Sequence, residues 1–197
     1  MTRSLSTRSG RIELRAPTEQ DDAAVAALRS HPYTRRHIPA FPETFTVEDA
    51  KALRLKRDAD LSHIPFYIFR TDTNEFIGAT SIAYLDRDER ACDTGILLRE
   101  EYARAGYATD TMHAVLKHAF EEEGMHRVSY HTSEKNVGMR GWLDMAGATL
   151  DGILREAWPD KDGYTSVCVY SILEQEWASV VKQRLEERID KRGCLDG

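Results

Sequence analysis

Apolar and polar positions change period several times along this chain, and each change marks an element. Residues 65–70, 75–85 and 90–98 are short runs rich in β-branched and aromatic side chains. They are separated by Thr71-Asp-Thr-Asn74 and Asp86-Arg-Asp-Glu89, which favour tight turns. Connections this short predict an antiparallel meander. Upstream, residues 11–15 predict a strand and 19–29 a helix opened by Thr18, which His31-Pro32 then ends. Three prolines up to Pro42 predict a loop. A charged, weakly amphipathic helix follows over 47–61, with Thr46 at its cap and Glu48 and Asp49 in its first turn.

The central helix has the clearest period, since Met112, Leu116 and Ala119/Phe120 recur at i, i+4 and i+7/i+8, giving one apolar stripe with charge opposite. A strand-like run, Thr94 to Arg99, enters it through a turn centred on Gly106. Residues 127–132 then alternate as a strand, 136–145 predict a short helix ended by Gly147, and 148–156 with 163–171 predict a closing hairpin. The strand-turn-helix-strand passage over 93–132 makes its two strands parallel neighbours. From 174 to 191, Trp177, Val180/Val181, Leu185 and Ile189 form a second apolar stripe, which needs cover from the domain itself or from a second subunit. The division expected is a flexible arm at 1–10, one domain over 11–172, and a C-terminal helix and tail over 173–197.

Composition sets limits on this picture. The chain has 197 residues, of which 41% are hydrophobic and 30% charged, enough for one sizeable core. A formal net charge of −6 argues against nonspecific binding to nucleic acid or an anionic membrane, and no nucleic-acid or membrane partner is expected. Cys92, Cys168 and Cys194 form no C-x-x-C pair, and an odd count fits a reducing, cytoplasmic setting. There is no leader-like apolar segment among the first ten residues and no run of 18 apolar residues. Seven histidines show no ligand spacing, so no metal is expected. Phosphate-loop, dinucleotide-fold and serine-hydrolase signatures are absent. Gly138-Met-Arg-Gly141 matches a nucleic-acid-binding GXXG, and on an acidic chain it is read as chance.

The chemistry concentrates at the Gly106 turn. N–H groups in a helix's first turn lack internal partners and sit at the positive end of the helix dipole, so a strand that turns sharply into a helix makes an anion cradle. Arg104 adds a cation beside it.

These residues also carry a family resemblance. Ala103-Arg-Ala-Gly-Tyr-Ala108 resembles the pyrophosphate loop of GNAT N-acyltransferases in its last three positions, while Ala103 stands where Gln or Arg is usual. Gly106-Tyr-Ala-Thr-Asp-Thr111 is similar to the looser form in RimJ/RimL-like enzymes, which modify ribosomal-protein N-termini. Similarity extends over about 160 residues through Arg11 to Asp21, Phe76-Ile-Gly-Ala-Thr80, Asp93-Thr-Gly-Ile-Leu97, Gly124-Met-His-Arg-Val128, Asn136 and Gly147.

The resemblance implies an α/β (α+β) GNAT fold, a mixed, mostly antiparallel sheet of about six or seven strands flanked by helices, with two splayed central parallel strands. It implies acetyl-CoA as acyl donor and direct transfer to an amine in a ternary complex. The donor would lie along Leu97, Leu98 and Arg99, with its pyrophosphate on the amides of Arg104, Ala105, Gly106, Tyr107, Ala108 and Thr109, and its pantetheine arm near Asn136 and Met139. Asp93 corresponds to a carboxylate that serves as general base, or else is a strand-end acid paired with an arginine. Arg35, Phe41 and Trp158 fall where the family builds its acceptor pocket, while His131 and Tyr130 lie on opposite faces of the strand that flanks the acyl group, so that one of them could meet substrate. The subgroup pattern implies a protein N-terminal α-amine as acceptor, ahead of a small amine such as an antibiotic, a polyamine or an amino-acid-like toxin. Met139 and Leu143 stand where related branches carry a hydroxyl, which keeps open a noncatalytic acyl-CoA-binding module. The C-terminal helix leaves both monomer and homodimer open.

Overall fold

The computed structural model describes residues 4–161 and 163–193. Its strands are β1 (Ser4–Ser6), β2 (Ile12–Arg15), β3 (Ile64–Arg70), β4 (Phe76–Asp86), β5 (Ala91–Leu98), β6 (Arg127–Ser133), β7 (Thr149–Asp160) and β8 (Gly163–Leu173). They form one sheet in the order β1-β2-β3-β4-β5-β6-β8-β7. Every neighbouring pair is antiparallel except β5 and β6. The central helix lies between those two in sequence, so the crossover passage makes parallel neighbours as expected.

The sheet has eight strands rather than six or seven. Part of the addition is β1, which lies in the segment expected to be a flexible arm and pairs with β2 from Ser4↔Arg15 to Ser6↔Glu13. Residues 1–3 and Cys194 lie outside the described residues.

Helices cover both faces of the sheet, which is why β3 is buried at six successive positions. On one face α1 (Asp22–Ser30) and α3 (Val47–Asp58) pack Val25, Leu28 and Ala50 against Tyr67, Phe69 and Phe76. Arg54 of α3 clasps Asp22 of α1 through two bonds of 2.9 Å, both side chains nearly buried. Between these helices the expected loop instead contains α2 (Pro32–His37). Its proline occupies the first turn, where no internal N–H bond is lost, and His31 Nδ1 accepts from Tyr33 N at 3.2 Å.

On the other face α4 (Tyr107–Lys117) packs Met112, Val115 and Leu116 against Phe66, Ile68, Ile77 and Ile82. The expectation of a charged outer side on α4 is corrected, because Asp110 and His113 are buried too. Their cover is the C-terminal segment: α6 (Glu174–Glu176), a wide turn over Trp177–Val181, and α7 (Lys182–Gly193). His113 Nε2 lies 3.2 Å from Glu186, and the stripe Trp177, Val181, Leu185 and Ile189 is buried within this same chain. The remaining helix, α5 (Val137–Ala146), is capped by Asn136, whose Oδ1 accepts from Met139 N at 3.1 Å, and is closed by Gly147. Among the described residues no helix is long and apolar enough to cross a membrane.

Candidate active site

β5 and β6 pair over only three residues, Ala91↔Arg127, Cys92↔Val128 and Asp93↔Ser129. Beyond Asp93 they part. β5 stays on β4 as far as Gly78↔Leu98, and β6 stays on β8 as far as Ser133↔Val167. Their inner edges therefore face each other across a gap in which backbone groups are free to meet an extended ligand. The gap opens into a cavity of about 230 Å³.

Six of the sequence-derived candidates line that cavity: Leu97, Asn136, Met139, Phe41, His131 and Trp158. Asp93 stands at the point of divergence, with its Oδ2 3.2 Å from His131 Nδ1 across the two strands. The two residues share a face because Asp93 is level with Ser129, and His131 is two positions further along β6. The carboxylate raises the His131 pKa above its ordinary value by accepting the Nδ1 proton, against a smaller opposing effect of burial. Nε2 is then the imidazole's free basic atom.

Leu98 points to the opposite face and packs with the α4 core. Arg99 leaves the cleft altogether, reaching Glu75 at 2.8 Å and the Phe76 carbonyl at 3.1 Å. Arg35 does not line the cavity and lies 3.9 Å from Glu43. Leu143 is fully buried in the core.

The phosphate loop sits at the end of β5. Arg104 (φ 62°) and Gly106 (φ 87°) both adopt the left-handed conformation, which turns the chain abruptly into α4. The first internal bonds of α4 run from Thr109 N and Asp110 N to the Gly106 carbonyl at 3.1 and 3.2 Å. Tyr107 N and Ala108 N precede them and are the helix's free first-turn donors. Thr109 is thus removed from the expected cradle, and its hydroxyl accepts from Trp142 Nε1 at 3.2 Å. Arg11 donates to the Ala105 carbonyl at 3.3 Å, and its guanidinium lies 4.6 Å from the Tyr107 ring centre.

Sequence reasoning missed two features here. Arg192, near the end of α7, donates to the Arg104 carbonyl at 2.7 Å, and a Cβ built on Gly106 would lie 2.6 Å from its Cδ. No motif could have announced a residue so distant in sequence. Arg29 and Arg57 also line the cavity, each at the end of a helix where a basic residue reads as ordinary dipole compensation. Burial, and secondarily Arg57, push the Arg29 pKa down to about 10, and burial lowers that of Arg57 as well. Tyr130 lines the cavity with a hydroxyl that is buried and unpartnered, and burial raises its pKa. Among the described residues no three metal-ligating side chains come together.

The Acetyltransferase (GNAT) domain family matches residues 11–149. The uncharacterized N-acetyltransferase YnaD of Bacillus subtilis strain 168 is 26% identical over 167 residues, covering 85% of this chain and 96% of that protein. Spermidine N-acetyltransferase from Vibrio cholerae, solved with CoA and spermine, superposes with a TM-score of 0.80 at 17% identity, over 86% of this chain and 99% of that one. Mycobacterium smegmatis RimJ, solved with CoA-disulfide, superposes with a TM-score of 0.79 at 18% identity, over 95% and 93%. An extended thioester needs an open strand edge next to a helix start that accepts phosphate, and a chain that builds both and matches the family over most of its length belongs to the GNAT acetyltransferases, whose acyl donor is acetyl-CoA.

Proposed function

We propose that this chain transfers the acetyl group of acetyl-CoA to a primary amine that enters the cleft between α1, α3 and the sheet. The parting of β5 from β6 at Asp93, beside the free helix start at Gly106, is the observation that carries this reading. The donor's phosphates meet the amides of Arg104 to Ala108, and its arm follows β5 towards Asn136 and Met139. Acetyl-CoA supplies the thioester. The amine nitrogen forms the new bond to the acetyl carbon, the carbon–sulfur bond breaks, and the amine's proton passes to His131 Nε2. Asp93 holds the imidazole in that tautomer. The similarity of Gly106-Tyr-Ala-Thr109 to RimJ/RimL-like enzymes favours an α-amine, whether at a protein N-terminus or on a small molecule. Buried free thiols at Cys92 and Cys168 support a cytoplasmic setting.

The test is steady release of CoA thiol with a panel of α-amines and polyamines, run beside thermal unfolding with acetyl-CoA. Saturable release with an α-amine is expected. Stabilisation by acetyl-CoA without turnover of any amine would overturn transfer in favour of an acyl-CoA-binding module, the reading that Met139 and Leu143 keep open.

Arg192 adds a cation to the donor side from outside the matched family segment. Arg192→Ala is expected to raise KM for acetyl-CoA by about three- to tenfold, the scale of one exposed charge-assisted contact, while leaving KM for the amine unchanged. Paired KM measurements check it, and a shift in the amine KM instead would dissociate Arg192 from the donor.

A further inference from the structure

Arg29 and Arg57 line one cavity wall, and no carboxylate pairs with either among the described residues. The contrast with Arg54, three residues before Arg57 on the same helix, is direct: Arg54 has Asp22 in a two-bond clasp. Arg29 instead lies between aromatic rings, 3.8 Å from the Phe41 centre and 4.8 Å from the Phe45 centre, and its buried Nε has no hydrogen-bond partner. Two half-buried like charges that repel one another and lack a counterion are costly unless a ligand completes them. No Asp or Glu is among the cavity's lining residues, and Asp93, at its edge, is engaged by His131.

We infer that the acceptor is a small amine carrying an oxyanion, a carboxylate or a phosphate, that seats between Arg29 and Arg57 while the amine reaches His131. The inference rests on the acetyl-transfer reading and narrows its substrate class. A guanidinium presents a planar fork of donors that matches a carboxylate or phosphate edge, and the aromatic rings around Arg29 hold that fork in place. The cavity of about 230 Å³ is shared with the donor's arm along Leu97, Asn136 and Met139, so the acceptor it takes is small. A polycation such as spermidine would meet two arginines on a wall whose lining carries no acid. Burial and mutual repulsion already depress the pKa of Arg29, which an incoming anion would reverse.

The experiment compares free amino acids with their α-amides, phosphoethanolamine and spermidine, at saturating acetyl-CoA. Acidic acceptors are expected to exceed their amides at least about tenfold in kcat/KM, the scale of a charge-assisted contact. A preference among them for phosphoethanolamine would identify the oxyanion as phosphate. In Arg57→Gln the preference for acid over amide should collapse. Arg29→Lys, which keeps the charge beside Phe41 but loses the fork, should weaken it. Equal or better use of amides or spermidine by the unaltered protein would overturn the inference. If no amine is acetylated, thermal unfolding in the presence of CoA decides separately. Stabilisation by an amino acid or phosphoethanolamine that Arg57→Gln abolishes sustains the oxyanion seat and overturns only the transfer. No stabilisation by any of the anionic amines overturns the seat.

Discussion

Replacing His131 with alanine is expected to lower kcat by about 10²- to 10⁴-fold, the range for loss of a positioned general base, with little effect on acetyl-CoA binding. The side chain faces the cavity with Nδ1 towards Asp93, so only Nε2 remains to take the amine's proton. Asp93→Asn tests the division of labour. Asp93 raises the His131 pKa, so in the unaltered protein the base is neutral only above that raised value, and activity climbs with pH through it. With an amide in place of the carboxylate, the acid limb of kcat/KM should move to lower pH while kcat falls, because the tautomer is no longer enforced. Profiles of both variants, with thermal shift by acetyl-CoA as a folding control, decide it. Full turnover by His131→Ala, or an unmoved acid limb in Asp93→Asn, removes this pair from the mechanism. The same linkage reaches stability. A histidine whose pKa is higher folded than unfolded stabilises the fold below the unfolded value, and that contribution is lost as pH rises through the folded one.

Gly106→Asp is the second large effect, and it is expected to weaken acetyl-CoA binding by more than about 100-fold. Gly106 has φ 87°, and its amide opens the turn into α4. Asn and Asp both tolerate left-handed backbone, so Gly106→Asn isolates the shape change from the charge. A Cβ at Gly106 would displace Arg192 in either variant, so that effect is common to both and cancels in their comparison. The aspartate alone puts a negative group where phosphate would lie. A ligand at a hundredfold excess over Kd adds about 2.7 kcal/mol to stability, so loss of the thermal shift in Gly106→Asp with most of it kept in Gly106→Asn is the expected pattern. Undiminished binding by the aspartate variant would move the pyrophosphate away from this loop.

Much of the scaffold is legible in the sequence because its signals are local. The meander over β3 to β5 rests on short polar turns, α3 on the Thr46 cap, and α5 on Asn136 and Gly147. Each of these signals acts within a few residues of itself. The misses are tertiary. The polar side of α4 reads as solvent-exposed until α7 lies over it. Arg99 reads as part of a donor-binding edge until Glu75 draws it away. Thr109 reads as a cradle amide until the first helical bond takes its N–H. Arg29 and Arg57 stand far apart in sequence and read as two ordinary helix ends, and only the packing of α1 beside α3 brings them to one wall. Asp93 is legible as a candidate base by resemblance, but its partner across the strands comes from register: three paired residues fix which side chain on β6 stands over it.

That short register also determines where the sheet gives way. Two blocks, β1 to β5 and β6 to β8, are joined by three paired residues, Ala91, Cys92 and Asp93, and by the Arg90 carbonyl, which accepts from His126 N and Arg127 N, while the flanking β4–β5, β6–β8 and β7–β8 ladders run longer. The seam therefore owes its cohesion to the side chains beneath it, Cys92, Val128 and Tyr130 against the helical layer, more than to its own amides. Under native-state hydrogen exchange, backbone amides along this line should open at lower free energy than those of the flanking ladders, so the molecule behaves as two leaves on a narrow spine.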